Sequence, residues 1–562
     1  GGLQTPVATA RLDNIDNVND NVFGTAFAKW NILEGLDFTY NVAVDVRNRA
    51  LTSFDTPLYG DAKGVNGRGQ NAFSTAFNLT QQQLLNYTRE FGEHSVAVLL
   101  GHENTNYKFN YLQLHKINFL LPDTPVLDFG ASYQSSSNFI REYGVEGYLS
   151  RVNYDYGNKY YVNASFRRDG SSVFHPDNRW GNFFGVGGAW RVAQEDFMQD
   201  VTWLSELKLK ASYGEQGNDA ILYPGSSTRN YYAYRDQFAV VPNDGELAIQ
   251  LTYLGNPDLT WETNANFNAG FELGLFDNRI QLNAEYFSRE VQDMLFNTPQ
   301  PPSSGNPDFP ENVGDMINKG VEFTLNADIV RSQDFNLSFD FNATHFTNEI
   351  TRLPNDDIIA SQFRYNVGGS VYDYYLREYA GVNPENGNAQ WYYDLEDASG
   401  NPTGERGITE EFAEADRYQL DKSPIPDVYG GFGFDMNYKN FDFGIDFAYQ
   451  IGGEGYDQVY YGLFDASSDI GNNLHQDALD KTWTVENPDA ELPRIDTQSP
   501  YQYGGLSTLY LVDASYLSLQ NISLGYNFGG SVTETLGLNS LRLYALANNV
   551  ALWSERKGYD PR

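Results

Sequence analysis

Apolar and polar side chains alternate with a period of two along unusually long stretches of this chain. Phe335, Leu337, Phe339, Phe341 and Ala343 interleave with Asn336, Ser338, Asp340, Asn342 and Thr344, which gives a strand one oily face and one suited to water. Val321, Phe323, Leu325, Ala327 and Ile329 interleave in the same way with Glu322, Thr324, Asn326 and Asp328. Phe441, Phe443, Ile445, Phe447 and Tyr449 oppose Asp442, Gly444, Asp446 and Gln450, and the run from Phe267 to Leu275 opposes Asn266, Asn268, Gly270 and Glu272. Strands of a soluble sandwich usually run about five or six residues. Many here run about ten or more, the length that crosses a bilayer at a tilt.

About sixteen strands are predicted in this way, paired by tight turns and separated by long polar excursions. Val22 to Ile32 turns at Glu34-Gly35 into Asp37 to Asn48. Asn71 to Phe91 turns at Gly92-Glu93 into Ser95 to Leu112, and Glu142 to Tyr156 turns at Gly157-Asn158 into Tyr160 to Arg168. Trp180 to Val192 is joined to Leu207 to Tyr213 by an amphipathic stretch with Phe197, Val201 and Leu204 on one helical face. Later tight turns fall at Asp277-Asn278, Ser332-Gln333 and Lys439-Asn440, with a longer one from Gly529 to Asn539. The long connections are Gly214 to Leu259, Glu290 to Lys319, Asn348 to Pro426 and Gly452 to Ala514. Short and long connections alternate, which is the asymmetry of an all-β, transmembrane, antiparallel up-and-down β-barrel with short periplasmic turns and long extracellular loops. Between Leu519 and Ile522 the apolar phase slips, which predicts a bulge. The first strand precedes a short turn and the last, Leu541 to Trp553, follows one, so parity asks for a further strand at each end. An unclosed edge in lipid leaves unpaired backbone groups at several kcal/mol each. Residues 1–562 are therefore expected to be one partial barrel domain.

Composition supports a single architecture. Across 562 residues no compositional shift or Pro/Ser linker divides the chain. No apolar run reaches about eighteen residues, so no transmembrane helix is expected, and the mean hydropathy of -0.50 suits a barrel whose two faces average out. The absence of cysteine fits an oxidising compartment or the cell surface. The start, Gly1-Gly2-Leu3-Gln4, carries no signal peptide, so the chain is expected to be processed or incomplete.

The charge narrows the chemistry. Acidic residues outnumber basic ones 74 to 37, for a net charge of -37, which excludes a nucleic-acid partner because phosphate requires a basic footprint. The excess reads as a solvated acidic surface. The sharper alternative is that loop carboxylates, such as Asp394, Glu396 and Asp397, hold a divalent cation like calcium, although no EF-hand spacing occurs. His94, His102, His115, His175, His345 and His475 are scattered, there is no HExxH, and nothing positions a carboxylate pair for glycoside hydrolysis. No enzymatic activity is expected. Arg167 and Arg168 beside Asp169 read as a salt bridge or loop anchor, and Asn383-Pro384-Glu385-Asn386-Gly387 as a hairpin turn.

A series of motifs adds a family. Arg167-Arg168-Asp169-Gly170-Ser171-Ser172, Asn178-Arg179-Trp180-Gly181, Gly188-Ala189-Trp190-Arg191 and the run from Leu204 to Gly214 resemble the SusC/RagA-like TonB-dependent outer-membrane transporters of Bacteroidetes. Asn256-Pro257-Asp258-Leu259-Thr260-Trp261-Glu262, Asn318-Lys319-Gly320-Val321-Glu322, Lys422-Ser423-Pro424-Ile425-Pro426, Trp483-Thr484-Val485-Glu486-Asn487-Pro488 and the run from Tyr516 to Ile522 keep that family's order. The resemblance spans residues 143–561.

It implies a barrel of about 22 strands preceded by a plug domain and a TonB box; the plug, the TonB box, the first strands and the closing strand would lie outside this chain. It implies import across the outer membrane of oligomeric nutrients, glycan or peptide. A SusD/RagB-like lipoprotein lid and a TonB-ExbB-ExbD complex would be partners, with a dimer of transporter-lid pairs as a further assembly and no required cofactor. A passive porin or a scaffold barrel for surface protein complexes is the alternative. Sugars offer hydroxyls to amides and carboxylates and ring faces to aromatics. The substrate-binding candidates are accordingly the loop residues Tyr231, Tyr232, Tyr234, Trp391, Tyr392 and Tyr393, the first three equally suited to a protein interface beside Arg235 and Asp236. Trp190, Tyr286 and Tyr449 read as interfacial girdle residues.

Overall fold

Long strands dominate the computed structural model, which describes residues 6–243, 246–306, 308–355, 357–464, 473–496 and 505–556. Sixteen of them hydrogen-bond in chain order into one sheet, the number the alternation predicts. Internal contacts divide the chain into two units, Gly1–Gly188 with Tyr213–Asn264 and Asp293–Val313, and Ala189–Ser212 with Ala265–Gln292 and Gly314–Arg562.

In the first unit, Asn14–Leu33, Leu36–Asp55, Arg68–Phe91, His94–Phe119 and Gly130–Tyr156 are strands of 20 to 27 residues, followed by Tyr160–Ser171. Their tight turns lie at the predicted pairs. Gly35 and Gly92, in two-residue turns, have φ of 76° and 61°, and Gly157 and Asn158, in a three-residue loop closed by Tyr156 and Tyr160, have φ of 61° and 54°, the left-handed region that tight hairpin turns use. At Gly35 a side chain is also excluded by space, since a Cβ would stand 2.3 Å from the Thr88 carbonyl oxygen.

These strands outrun the predicted ones. Asn14 through Asn21 pairs with Phe54 through Arg47, and Gly130 through Arg141 continues the pairing with His94–Phe119. Both extensions are rich in Asn, Asp, Ser and Gln; where both faces of a strand meet water, alternation disappears while the backbone ladder continues. The stretch after Trp180–Arg191 also differs from expectation. It forms two short 3-10 turns, Val192–Gln194 and Asp196–Met198, and Leu204 already opens the next strand. Phe197 is 67% exposed, so no apolar helical face forms.

The second unit shows the alternation as two adjacent cross-strand rows. Leu282, Leu325, Phe341, Phe432, Phe447 and Leu519 are successive partners on one face. One position along, Gln281, Asn326, Asp340, Gly433, Asp446, Asn521 and Asn548 are successive partners on the other. Aromatic contacts lock the apolar row: the Phe432 and Phe447 rings stack at 4.7 Å and Phe339 meets Phe434 at 4.9 Å, geometries worth about 0.5–1.5 kcal/mol beyond area burial. The predicted bulge is present. Pairing slips between Leu519 and Asn521 against one neighbour and between Asp446 and Phe447 against the other, which leaves Gln520 as the extra residue.

The long connections are themselves folded. In the second unit, residues 353–427 form the hairpin of Asp357–Ala360 with Phe363–Asn366 and a three-stranded sheet of Tyr379–Val382, Ala389–Glu396 and Pro402–Thr409. Residues 452–515 pack Tyr460, Phe464, Ala478, Leu492 and Tyr510 into a core of their own. The helix Gln458–Gly462 starts there under an Asp457 cap that accepts the Tyr460 N–H at 3.0 Å. The two connections are stitched together: Trp483 Nε1 donates to the Pro384 carbonyl at 3.1 Å, Arg494 N–H to Gly387 at 2.8 Å and the Tyr379 hydroxyl to Glu491 at 3.3 Å.

Candidate functional site

The aromatic loop residues fall into two groups, one in each unit. In the first unit the site begins on the sheet. Tyr107, Phe109 and Tyr111 follow one another at every second position and so share a face; their partners on the next strand are Tyr143, Arg141 and Phe139. The rings form a platform, with centroids 5.1 Å apart for Tyr111 and Phe139, 6.1 Å for Phe109 and Phe139 and 6.3 Å for Phe109 and Tyr111. Arg141 lies 4.5 Å over the Phe139 ring. On the far side, Arg47 and Arg49 reach the same face across Ala76 and Ser74, which pair with Phe109 and Tyr111.

A loop closes one end of this platform. Tyr231 packs 5.6 Å from Tyr143 and 6.2 Å from Tyr107, and Arg229 sits 4.4 Å over Tyr143. Asp219 fixes the arrangement by accepting from the Tyr143 hydroxyl at 2.9 Å, from Ser171 Oγ at 2.5 Å and from the Arg229 guanidinium. Tyr232 points elsewhere, its hydroxyl accepting the Glu142 backbone N–H at 3.0 Å. Tyr234 meets His175 edge-on at 5.8 Å and Arg235 at 4.9 Å. Below them Val173, Phe174, Ile221, Ala233 and Leu259 form a sealed core.

Several family motifs belong to this scaffolding. Arg167 makes a two-pronged ion pair with Asp169, at 3.1 and 2.9 Å, within the strand Tyr160–Ser171, the salt bridge of the two roles the sequence offers. Trp261 Nε1 donates to Arg179 at 2.8 Å and its ring packs on Phe174 and Phe183. Glu262 accepts from Asn218 at 3.0 Å and from the Leu295 N–H at 3.1 Å. These residues hold loops rather than ligand.

In the second unit, Trp391 is 2% exposed and packs with Ala389, Ala415, Tyr379 and Phe412. Its ring offers no face to a ligand, so this candidate is a core residue. The apolar interior of a folded loop reads the same in sequence as an aromatic patch on a flexible one. Tyr392 and Tyr393 are half-buried. Arg406 spans Tyr392 and Tyr418, at 5.9 and 3.9 Å, while paired to Glu378 at 2.8 Å, and the Tyr393 ring covers Gly407 so closely that a Cβ there would stand 2.5 Å away.

The loop carboxylates serve local structure. Asp397 accepts the Ser399 and Asn401 N–H groups at 2.8 and 3.0 Å, and Asp394 accepts the Tyr418 hydroxyl at 3.0 Å. Among the described residues no group of three His, Asp or Glu side chains converges to hold a metal ion. Asn383 to Gly387 forms the predicted hairpin turn between Tyr379–Val382 and Ala389–Glu396. Glu410 organises it, accepting from Asn383, Asn386 and Asn388 at 2.5, 3.0 and 2.7 Å. The Asn383 amide holds the Glu410 carboxyl below its ordinary value of 4.5, against the opposing effect of burial, with Asn388 and Asn386 adding to it. A depressed carboxyl stabilises the fold fully above its unfolded value and loses that contribution as pH falls through the folded one. Amide protection of residues 383–388, corrected for intrinsic exchange, is therefore expected to fall on acidification below about 4.5, and Glu410→Gln to remove that pH dependence.

Arg141, Arg49, Phe109, Tyr111 and Phe139 were not among the residues singled out from the sequence. The signal was present in Tyr107, Phe109 and Tyr111, whose two-residue spacing puts them on the same strand face as Glu103 and Gln113.

No helix among the described residues is long and apolar enough to cross a membrane, which has no bearing on crossing by strands. The chain is 28% identical to TonB-dependent receptor P3 of Formosa agariphila, covering 100% of this chain and 56% of that protein. It is 26% identical to TonB-dependent receptor SusC of Bacteroides thetaiotaomicron, covering 99% and 55%. Among solved structures it resembles the RagAB peptide transporter with a TM-score of 0.84 and 26% identity, over 99% of this chain and 60% of that one. The chain thus spans about half the length of the curated relatives it matches. Residues 3–550 match the family described as TonB dependent receptor-like, beta-barrel, and the chain belongs to that family.

Proposed function

We propose that this chain is the barrel of an outer-membrane importer of oligomeric nutrients, glycan or peptide, working with a SusD/RagB-like surface lipoprotein and driven through a TonB-ExbB-ExbD complex. The pair of rows running from Leu282 to Leu519 and from Gln281 to Asn548 carries the reading. One face is unbroken hydrocarbon and the other amides, carboxylates and a glycine, which is what lipid outside and an aqueous lumen inside require. The similarity to SusC and to RagAB supports the transport role.

Uptake of the imported oligomer is expected to stop on deletion of the protein and on loss of TonB. Uptake indifferent to TonB would leave a passive porin, and a stoichiometric partner without uptake would leave a scaffold.

A loop hairpin of the first unit suits the lipoprotein. Gln237–Asn243 pairs with Glu246–Tyr253, and the register sets Phe238 against Leu251 and Val240 against Ile249 on one face. Leu247 and Ile249 are 85% and 75% exposed, and a clustered apolar face of this kind marks a protein contact. Leu247→Asp with Ile249→Asp is expected to strip the lipoprotein from the transporter in a detergent pull-down while the barrel keeps its heat-modifiable mobility. Undiminished capture would place the lid elsewhere.

A further inference from the structure

Two adjacent arginines take opposite faces of the strand Tyr160–Ser171. Arg167 shares a face with Asn163, Ser165 and Asp169, and Asp169 holds it at 2.9 Å. Arg168 lies on the other face. There Tyr160, Val162, Ala164 and Phe166 are registered with Tyr156, Tyr154, Val152 and Ser150 of the neighbouring strand, and Arg168 stands opposite Tyr148. Val162, Phe166 and Val152 are 50%, 45% and 42% exposed, so this face is an uncovered apolar strip with tyrosines beside the tight turn. Its alternation with a polar face makes it the side that meets hydrocarbon. From Tyr160 to Arg168 it runs about nine residues, within the roughly 9–11 that cross a bilayer at a tilt. Arg168 therefore marks the rim of the strip away from the tight turn, the outer-leaflet end of a barrel with short periplasmic turns.

Aromatic rings hold Arg168 in place at this rim. Gly170, next on the same face, leaves the space that the Trp180 ring fills, since a Cβ there would stand 3.0 Å from the indole. The Arg168 guanidinium lies 5.5 Å over that ring, and Tyr148 is 6.2 Å from it. Stacking holds a guanidinium by its flat face and leaves the N–H fork on its edge for an anion. Arg168 is exposed and meets no carboxylate among the described residues. The acids beside it are committed elsewhere: Asp169 to Arg167, and Glu146 to the Tyr148 hydroxyl at 2.8 Å and to His102 Nε2 at 3.1 Å. In a chain of net charge -37, a stacked cation without a counter-charge calls for an anion from outside the chain.

A cation at the head of an exposed apolar strip matches one amphiphile better than a dissolved ion, because the same molecule satisfies both parts. We propose that Arg168, stacked on Trp180, binds the phosphate of an anionic outer-leaflet lipid whose acyl chains run along Phe166, Ala164 and Val162 toward Tyr160. The proposal rests on the barrel reading of the chain and is independent of what the barrel imports. It also separates two arginines that look alike in sequence: Arg167 serves the fold and Arg168 the membrane.

The test is native mass spectrometry of the full-length protein, released from detergent micelles that hold equal amounts of phosphatidylglycerol and phosphatidylcholine with matched acyl chains. Phosphatidylglycerol is expected to be retained about tenfold or more over phosphatidylcholine, whose choline charge opposes the arginine; that ratio is the scale of one charge-assisted hydrogen bond. Arg168→Gln should bring the ratio to about one. Lys63→Gln removes an equal charge from an exposed position in the turn Asp61–Val65 and should leave the ratio unchanged. Heat-modifiable mobility checks that both variants fold. Equal retention of the two lipids by the unaltered protein, a preference that survives Arg168→Gln, or one lost equally in Lys63→Gln overturns the site. Displacement of phosphatidylglycerol by inorganic phosphate would mark a site for dissolved anions and overturns the lipid assignment. TonB-dependent uptake by cells decides the import reading separately, so loss of the lipid preference leaves that reading standing.

Discussion

Replacing Trp391 by alanine is expected to unfold the connection of residues 353–427 while the sheet strands on either side stay intact. The indole is 2% exposed and meets Phe412 edge-on at 5.1 Å, with Ala389, Ala415 and Tyr379 filling the rest of the cluster. Truncating a buried tryptophan costs about 3–5 kcal/mol in lost transfer energy and residual cavity. That is comparable to the whole stability of a small folded unit. The indole N–H has no hydrogen-bond partner among the described residues, so the loss is one of packing. Trp391→Phe, which keeps most of the ring, is expected to retain the fold. Limited proteolysis of intact cells reads the difference: the alanine variant should be cut within the connection and the phenylalanine variant should resist. A role in ligand stacking predicts the reverse, namely unchanged protease resistance with weakened ligand binding. Because Trp483, Arg494 and Tyr379 tie residues 353–427 to 452–515, the damage should spread to the second connection and stop at the sheet.

The division between what the sequence shows and what it hides has a physical basis. Tight turns were legible because few residues tolerate their backbone, as the positive φ of Gly35, Gly92 and Gly157 illustrates. The bulge at Gln520 was legible because one extra residue reverses every later side chain, so Leu519 and Ile522 cannot otherwise share a face. Strand ends were not, because a ladder wet on both faces has no period to detect, and Asn14–Leu33 and Gly130–Tyr156 extend through such segments. Long connections were hardest. Trp391, Tyr392 and Tyr393 are consecutive aromatics, yet the first lies in a loop core and the other two are half-buried. Only tertiary packing separates them. The contact of Phe139 with Phe109 and Tyr111 depends on register between neighbouring strands, which spacing along the chain does not contain.

The largest effect on the sheet itself is expected from Phe432→Arg. Phe432 lies near the middle of Val428–Tyr438, between Phe341 on one neighbour and Phe447 on the other, and its ring stacks on Phe447 with an interplanar angle of 12°. If this face meets lipid, a guanidinium near the bilayer midplane costs about 2–4 kcal/mol, and the lost aromatic packing adds about 0.5–1.5 kcal/mol. Snorkelling gives little relief from the middle of a strand, since the side chain must travel along neighbouring phenylalanines to reach water. The variant should therefore fail to assemble, appearing as heat-unmodifiable protein or as degradation products in place of the outer-membrane band. Asn326→Lys provides the matched control. Asn326 sits one position along from Leu325 on the opposite face and is registered with Asp340 and Gln281, so an added cation there meets a carboxylate and water and should be tolerated. Assembly of the Phe432→Arg protein together with loss of the Asn326→Lys protein would invert the assignment of the two faces. With it would fall the lipid-facing row, the aqueous lumen and the transport reading built on them.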